Sequence, residues 1–439
     1  MLTRPLIQTA LPGPKARAIL ERDRRQMSTS YVRPYALVPE RGEGCWLYDV
    51  DGNSFLDLMA GIAVNTTGYA HPRVVKAVTE QAQKFAHVCF SDFTHDSAVT
   101  LAERLAAKLG GGYRVFFANS GTEGIEAAIK LARYHTRRPY LIAFSGSFHG
   151  RTLGSLSLTA SNAKYRRGFG PLLPHVVHVP YPHPYRPPLG AGSENVGQAV
   201  LDHLEHLFHT SLPADEVAAV FLEPIQGEGG YVVPPKGFVQ GLRELTQRHG
   251  ILLVADEVQS GVGRSGSFLA LEQEGVQADI VVLAKGLASG YPISAVVFRE
   301  ELSTWTPGAH GTTFGGNAVS VAAALATLDL LEEGLMENAR KIGQHLIQGL
   351  RKLQEKHPRL GDVRGRGLMI GLDFVKDHKT REENPALRDQ IQQKAFEKGL
   401  LVLSAGPSTV RLAPPLILSL EEADLALGLL GEVLAEVGA

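Results

Sequence analysis

A lysine stands where a buried strand should end. Asp279-Ile-Val-Val-Leu-Ala-Lys285-Gly-Leu-Ala-Ser-Gly290 runs from an apolar, β-branched stretch into a turn of small residues. Such a run, bounded by turn formers, predicts a buried strand. Burying an ammonium is costly, so a lysine there either snorkels to solvent or has its pKa lowered and its amine used as a nucleophile. The residues upstream favour the second reading. Ile251-Leu-Leu-Val-Ala-Asp256 ends another apolar run in an aspartate, which needs a cationic partner in that setting. Glu223-Pro-Ile-Gln-Gly-Glu228-Gly-Gly follows a third run with two carboxylates. Carboxylates at strand C-termini face the usual ligand crevice of an open α/β sheet.

Other stretches supply what such a crevice needs. Asn119-Ser120-Gly121-Thr122-Glu123-Gly124 lies between a strand and a helix, where freed N–H groups and the helix dipole can hold a phosphate. A plain N-capped turn has the same composition. In Phe148-His149-Gly150-Arg151 the aromatic can stack on a planar ring and the arginine can grip a carboxylate with two prongs. His149 reads as structural rather than as a metal ligand, since no second histidine stands at zinc-site spacing. His310-Gly-Thr-Thr313-Phe-Gly-Gly-Asn317 offers hydroxyls and glycines ahead of a helix, a second phosphate-type site. Val410-Arg411-Leu-Ala-Pro-Pro415 puts an arginine in a strand-like setting that calls for an acidic partner.

The elements that must position these residues alternate. Strands are expected at Tyr113–Ala118, Tyr140–Phe144, Val217–Leu222, Ile251–Asp256 and Ile280–Ala284, with helices at Thr122–His135, Val200–His209 and Gly237–His249 between them. That order predicts a mostly parallel sheet covered by helices on both faces. Before it come a charged helix at Pro14–Gln26 and short strands with turns at Arg41–Gly44 and Asp51–Asn53. After it come helices from Gly316 to about Leu331 and from Glu337 to Lys356, then strands around Gly367–Val375, Leu400–Leu403 and Val410–Leu412. The Pro- and Gly-rich Pro180–Ser193 reads as a surface loop. Two motifs mislead. The run into Asp256-Glu257 resembles the magnesium strand of P-loop NTPases, but no Gly-Lys-Ser or Gly-Lys-Thr accompanies it. Gly261-Val-Gly263-Arg-Ser-Gly266 matches the dinucleotide fingerprint, yet Glu257–Ser260 separate it from its strand.

Composition narrows the class. The 439 residues carry 44 basic and 45 acidic side chains, which points to no nucleic-acid or polyanionic partner. Two cysteines, Cys45 and Cys89, make no disulfide framework and fit a cytoplasmic protein. No run reaches the ~18 apolar residues of a membrane span, and Met1–Arg25 lacks the apolar core of a signal peptide.

A lysine to form an imine, a carboxylate to hold a protonated ring nitrogen, a phosphate-binding helix start and a stacking aromatic are together the needs of pyridoxal 5'-phosphate. Across nearly its whole length the chain resembles the class III (ω) pyridoxal-phosphate aminotransferases of fold type I, above all those for 4-aminobutyrate and ornithine. The likeness rests on Ala60-Gly-Ile-Ala-Val, Ser120-Gly-Thr-Glu, Phe148-His-Gly-Arg-Thr, Glu223-Pro-Ile-Gln-Gly-Glu-Gly-Gly, Asp256-Glu-Val-Gln, Lys285, Thr313-Phe-Gly-Gly-Asn and Gly361-Asp-Val-Arg-Gly. It implies an α/β fold with a large, mostly parallel seven-stranded sheet and a small α+β domain. The expected division is an N-terminal segment 1–60 packing with the small domain, a large domain 61–330 and a small domain 331–439.

The resemblance also implies roles. Lys285 would join the cofactor as an imine and shuttle the proton. Asp256 would pair with the ring nitrogen, and Gln259 would bond the ring hydroxyl. Phe148 would stack on one ring face and Val258 pack on the other, with His149 beside them. Ser120, Gly121 and Thr122 would hold the phosphate, which Thr313 would reach from the partner subunit of a homodimer or a higher multiple. Arg411 would take the α-carboxylate of glutamate or 2-oxoglutarate, Glu228 would pair with Arg411 when that group is absent, and Arg151 would hold the distal carboxylate. Ala318 stands where the family commonly has proline, a departure expected to matter little.

Three functions compete on this reading. The first is a ping-pong transfer of an ω-amino group to 2-oxoglutarate. The second is amino-acid racemisation, since some class III relatives that share stretches like Glu223–Lys236 and Tyr181–Arg186 are racemases. Racemisation needs an acid on the second face of the substrate carbon, for which Glu228 is the candidate. A non-enzymatic binding role is disfavoured by Lys285 and Asp256 together.

Overall fold

Seven strands form the central sheet, in the spatial order Tyr113–Ala118, Ser294–Arg299, Ile280–Leu283, Leu252–Asp256, Val217–Leu222, Tyr140–Phe144 and Val176–Val179. The structure, a computed structural model, describes residues 4–439; Met1–Thr3 of the expected N-terminal segment lie outside the described residues. Five of the strands pair in parallel with one another, which requires crossovers and covers both faces. Burial shows why the middle strands read as unbroken apolar runs: every residue of Val217–Leu222 and of Ile280–Leu283 is buried. The sequence reading missed Val176–Val179 and Ser294–Arg299. The second is antiparallel to both of its neighbours, so it follows the Lys285 turn without the helical crossover on which the alternation argument relies.

Registry sets the site. Leu222 pairs with Ala255, and Asp256 pairs with Val282. Glu223, Asp256 and Lys285 therefore leave adjacent strands at one edge of the sheet. The helix Gly121–Thr136 packs close against these strands because Gly124 has no side chain; a Cβ there would sit 2.6 Å from Val282 Cγ1.

Two four-stranded sheets flank the large one. The first joins Pro39–Glu43, Trp46–Asp49 and Ser54–Asp57 to the distant Leu400–Leu401, which runs parallel to Ser54–Asp57. The expected turn at Arg41–Gly44 is corrected here. Arg41, Gly42 and Glu43 pair with Tyr48, Leu47 and Trp46, and the chain reverses at Gly44. Gly42 lies flat against the Tyr69 ring, where a Cβ would come within 2.5 Å, so this glycine serves a close approach and not a turn. The second sheet has the order Leu360–Arg366, Met369–Phe374, Thr409–Leu412 and Leu403–Ala405. It carries Arg411 between Gly371 and Leu403. The helix Ala318–Leu330 passes through a widened turn at Leu331–Leu335, with Gly334 at φ 148°, into Met336–Gln354.

Candidate active site

The Lys285 strand ends in a tight turn, Lys285–Ala288, closed by Ser289 in the left-handed region. The turn is held from the N-terminal side of the chain. Thr66 Oγ1 donates to Gly286 O at 2.9 Å, and the Thr67 and Ser289 hydroxyls meet at 2.7 Å. Burial lowers the Lys285 pKa, Arg411 lowers it further, and Glu228, Asp256 and Glu223 act against them. The net fall favours the free amine, the form that acts as a nucleophile or base.

Asp256 is buried, and both of its carboxylate oxygens are engaged. Oδ2 lies 2.7 Å from His149 Nδ1, and Oδ1 accepts from Val258 N at 3.1 Å. Burial works against a charge on His149, but the bond to Asp256 and the field of Asp256 and Glu223 raise its pKa overall. His149 thus grips the carboxylate that the sequence nominates for the ring nitrogen. Among the described residues no group of side chains is arranged to hold a metal.

The small sheet brings Arg411 to the same edge. Its Nη1 is 2.5 Å from Glu228 Oε1 and 3.5 Å from Gln259 Oε1. The Arg411 and Glu228 side chains are only 6% and 19% exposed, so the pair is largely withdrawn from water. Burial opposes the Arg411 charge, yet Glu228 and Tyr231 lift its pKa above the ordinary value.

The class-III aminotransferase family pattern matches residues 27–434. The chain belongs to the class-III aminotransferases. It is 41% identical to an alanine/serine racemase of Pyrococcus horikoshii over 96% of this chain and 91% of that one. It is 38% identical to a 4-aminobutyrate aminotransferase of Escherichia coli, over 90% and 92%. A crystal structure of an amine transaminase from an uncultivated Pseudomonas species, in its pyridoxal-phosphate-bound form, superposes with a TM-score of 0.89 at 34% identity, covering 94% and 98%.

The cofactor of this class-III aminotransferase is pyridoxal 5'-phosphate, and its residues fit that group. Ser120 caps the helix Gly121–Thr136, accepting from Glu123 N, and leaves the first N–H groups of the helix free for a phosphate. Gly121 lies against Val258, where a Cβ would come 2.8 Å from Cγ1, so the start of this helix and the turn after Asp256 are neighbours. Thr122 Oγ1 meets Ser155 Oγ at 2.6 Å and Thr152 Oγ1 at 2.8 Å. Thr313 stands apart from this cluster. It is exposed, next to Thr312, whose hydroxyl accepts from Asn119 Nδ2 at 3.2 Å.

Arg151 is exposed and stacks on Tyr165, its guanidinium 4.3 Å from the ring centre and 5.8 Å from that of Phe148. Tyr165 meets Phe148 edge-on at 5.7 Å. Burial raises the Tyr165 pKa, Glu228 adds to the rise, and Arg151 and Arg411 oppose it. Tyr165 therefore feels both arginines and Glu228. Sequence reasoning gave Tyr165 no role, because it sits in a three-residue turn, Ala163–Tyr165, with no periodic signal.

Glu223 was visible as a strand-terminal carboxylate but had no assigned task. Its Oε1 accepts from Phe148 N at 2.7 Å and its Oε2 from Gly227 N at 2.8 Å. It ties the Phe148 loop to the turn bearing Glu228. Burial pushes its pKa up to about 7.

Proposed function

We propose that this class-III aminotransferase moves the amino group of an ω-amino acid, of the 4-aminobutyrate or ornithine kind, to 2-oxoglutarate in two half-reactions at one site. The observation that carries the reading is the Arg411–Glu228 pair, closed at 2.5 Å within the cluster that includes Gln259. An arginine that binds an α-carboxylate in one half-reaction must be neutralised in the other, because an unpaired buried charge is costly. The contact of Glu228 with Arg411 supports giving Glu228 that task.

The division of labour follows. Pyridoxal 5'-phosphate supplies, when bound, an electron-withdrawing ring that accepts the electrons of the broken substrate C–H bond. Asp256, steadied by His149, holds the ring nitrogen, and Gln259 donates to the ring oxygen. Ser120, Gly121 and Thr122 hold the phosphate, together with the partner subunit's Thr313 in a homodimer. Phe148 and Val258 bracket the ring. Lys285, with its lowered pKa, is the base that takes and returns the proton. Arg151 binds the substrate's distal carboxylate, with its guanidinium steered by Tyr165. We assign the chain to the cytoplasm, with residues 1–60 packing on a small domain 331–439 and residues 61–330 forming the large one. The parallel pairing of Leu56 with Leu400 supports that grouping.

Racemisation is the second reading. It is supported by the 41% identity with an alanine/serine racemase and by a carboxylate, Glu228, that could deliver a proton. Single-turnover spectra of the two half-reactions separate the readings. Arg411→Ala is expected to damage the glutamate half-reaction more than the ω-amino-donor one, and Glu228→Ala the reverse. Equal losses in both would refute the switch. Loss of α-deuterium exchange with inversion in Glu228→Ala would favour the racemase.

A further inference from the structure

The turn that bears Glu228 runs on into Tyr231, which is wholly buried and has a φ of +53°. A large L side chain rarely adopts that left-handed backbone, and it persists only where the surroundings enforce it. Here they do. Arg364 Nε donates to Gly230 O at 3.1 Å and to Tyr231 O at 3.2 Å, and its Nη2 donates to Gly230 O at 2.6 Å. Gly406 N donates to Glu228 O at 2.7 Å. Gly371 lies so close that a Cβ would be 3.0 Å from Tyr231 Cβ.

The product of this enforced conformation is the location of one hydroxyl. Tyr231 Oη donates to Gln259 Oε1 at 2.7 Å. The same oxygen lies 3.5 Å from Arg411 Nη1. A guanidinium has only donors, so the amide atom that faces Arg411 and Tyr231 is the oxygen. The NH2 is thereby turned the other way, toward Gly227, which has no Cβ to obstruct it.

We propose that Tyr231 is a positioning residue for the cofactor. Its hydroxyl locks the Gln259 amide so that the NH2, and not the carbonyl, is presented to the ring oxygen, whose oxyanion form it stabilises. The lock also frees Gln259 from dependence on Arg411. When Arg411 leaves Glu228 for a substrate carboxylate, Tyr231 keeps the amide oriented, so the donor to the ring survives both half-reactions. The proposal rests on Gln259 being the donor to the ring oxygen.

The test is a double-mutant cycle on the cofactor-loaded protein, with Tyr231→Phe, Gln259→Leu and the combined variant. The readouts are the position and pH midpoint of the bound cofactor's visible absorption band, and cofactor retention on dialysis. Tyr231→Phe removes one oxygen and keeps the packed ring, and a melting curve checks the fold. The expected result is a shifted band and roughly 3- to 10-fold weaker retention, the loss of about one net hydrogen bond. Gln259→Leu should shift the band at least as far, and the combined variant no further than Gln259→Leu, because Tyr231 acts through Gln259. An unchanged band and retention in Tyr231→Phe, beside a shift in Gln259→Leu, would overturn the proposal alone. Fully additive effects would overturn it too. No change in Gln259→Leu would remove the underlying reading of Gln259 and the proposal with it.

Discussion

Lys285 carries the account at the scale of single residues. Lys285→Ala should abolish turnover, and borohydride should fix cofactor to the wild-type chain but not to the variant, as mass spectrometry would show. Normal turnover in that variant would end the assignment. Asp256→Ala should lower the rate far more than it lowers cofactor content. The lost charged hydrogen bond amounts to roughly 1.5–3 kcal/mol, about 10- to 150-fold, in single-turnover kinetics on fully loaded protein. Glu257 offers a stability test. It is fully buried, accepting from Ser260 Oγ at 2.5 Å and Leu271 N at 2.9 Å, and burial pushes its pKa up to about 7. The unfolded chain titrates near 4.3. Between those values the folded state binds more protons, so stability falls as pH rises through the window. Glu257→Gln, whose amide keeps an oxygen for Leu271 N and turns its NH2 to Ser260, should flatten the fall by a few kcal/mol at most. Melting temperatures at pH 5 and pH 8 decide it; an unchanged difference would count against a neutral Glu257 at low pH. Lys285 and Asp256 stood out in the sequence because each ends an apolar run, and Ser120 because it opens a helix. Tyr231 was not, since nothing in its sequence neighbourhood announces a positive φ, and the grip of Arg364 comes from a distant strand.

Among the elements, the Pro-rich segment 180–193 gains a purpose that composition withheld. Arg186 donates from both Nη atoms to the two oxygens of Asp373, at 2.9 and 2.7 Å. Asp373 also receives Arg364 Nη2 at 2.9 Å. Asp373 is buried, and although burial opposes its charge, Arg186 and Arg364 hold its carboxyl well below the usual carboxylate range. One carboxylate therefore fastens the loop to the small sheet and to the arginine that shapes the Glu228–Tyr231 turn. Asp373→Ala should leave two arginines short of a buried partner and cost about 3–5 kcal/mol, read as a lower denaturation midpoint with an unchanged slope. A change below 1 kcal/mol would mean that the cluster contributes little to stability. The parallel core of the fold was legible because its strands are covered on both faces and read as continuous apolar runs. The antiparallel Ser294–Arg299 was not, since it follows the Lys285 turn without a helix, and neither was the four-residue edge strand Val176–Val179, whose crossover holds only the short helix Leu153–Leu158. The pairing of Leu400–Leu401 with Ser54–Asp57 is a long-range contact that no local pattern encodes.

At the scale of the whole molecule, Thr313 bears on assembly. Thr313 is exposed, as are Phe314 and Phe93 at 58% and 65%. The loop that carries Phe314 packs on the distant Ala86–His87, with its ring centre 5.0 Å from that of His87 and Asn317 Nδ2 donating to Ala86 O. If Thr313 serves the neighbouring phosphate site, the active protein is a dimer or a multiple of one. Light scattering with activity assayed on the same fractions should show that, and a fully active monomer would contradict it. Net amino transfer tests the central claim most directly. Holoenzyme mixed with 4-aminobutyrate or ornithine, without an acceptor, should lose the visible band of its cofactor in one turnover. Adding 2-oxoglutarate should restore the band and release one glutamate per site. A band that neither donor bleaches, together with deuterium exchange and inversion at the α-carbon of an α-amino acid and no glutamate formed, would contradict it.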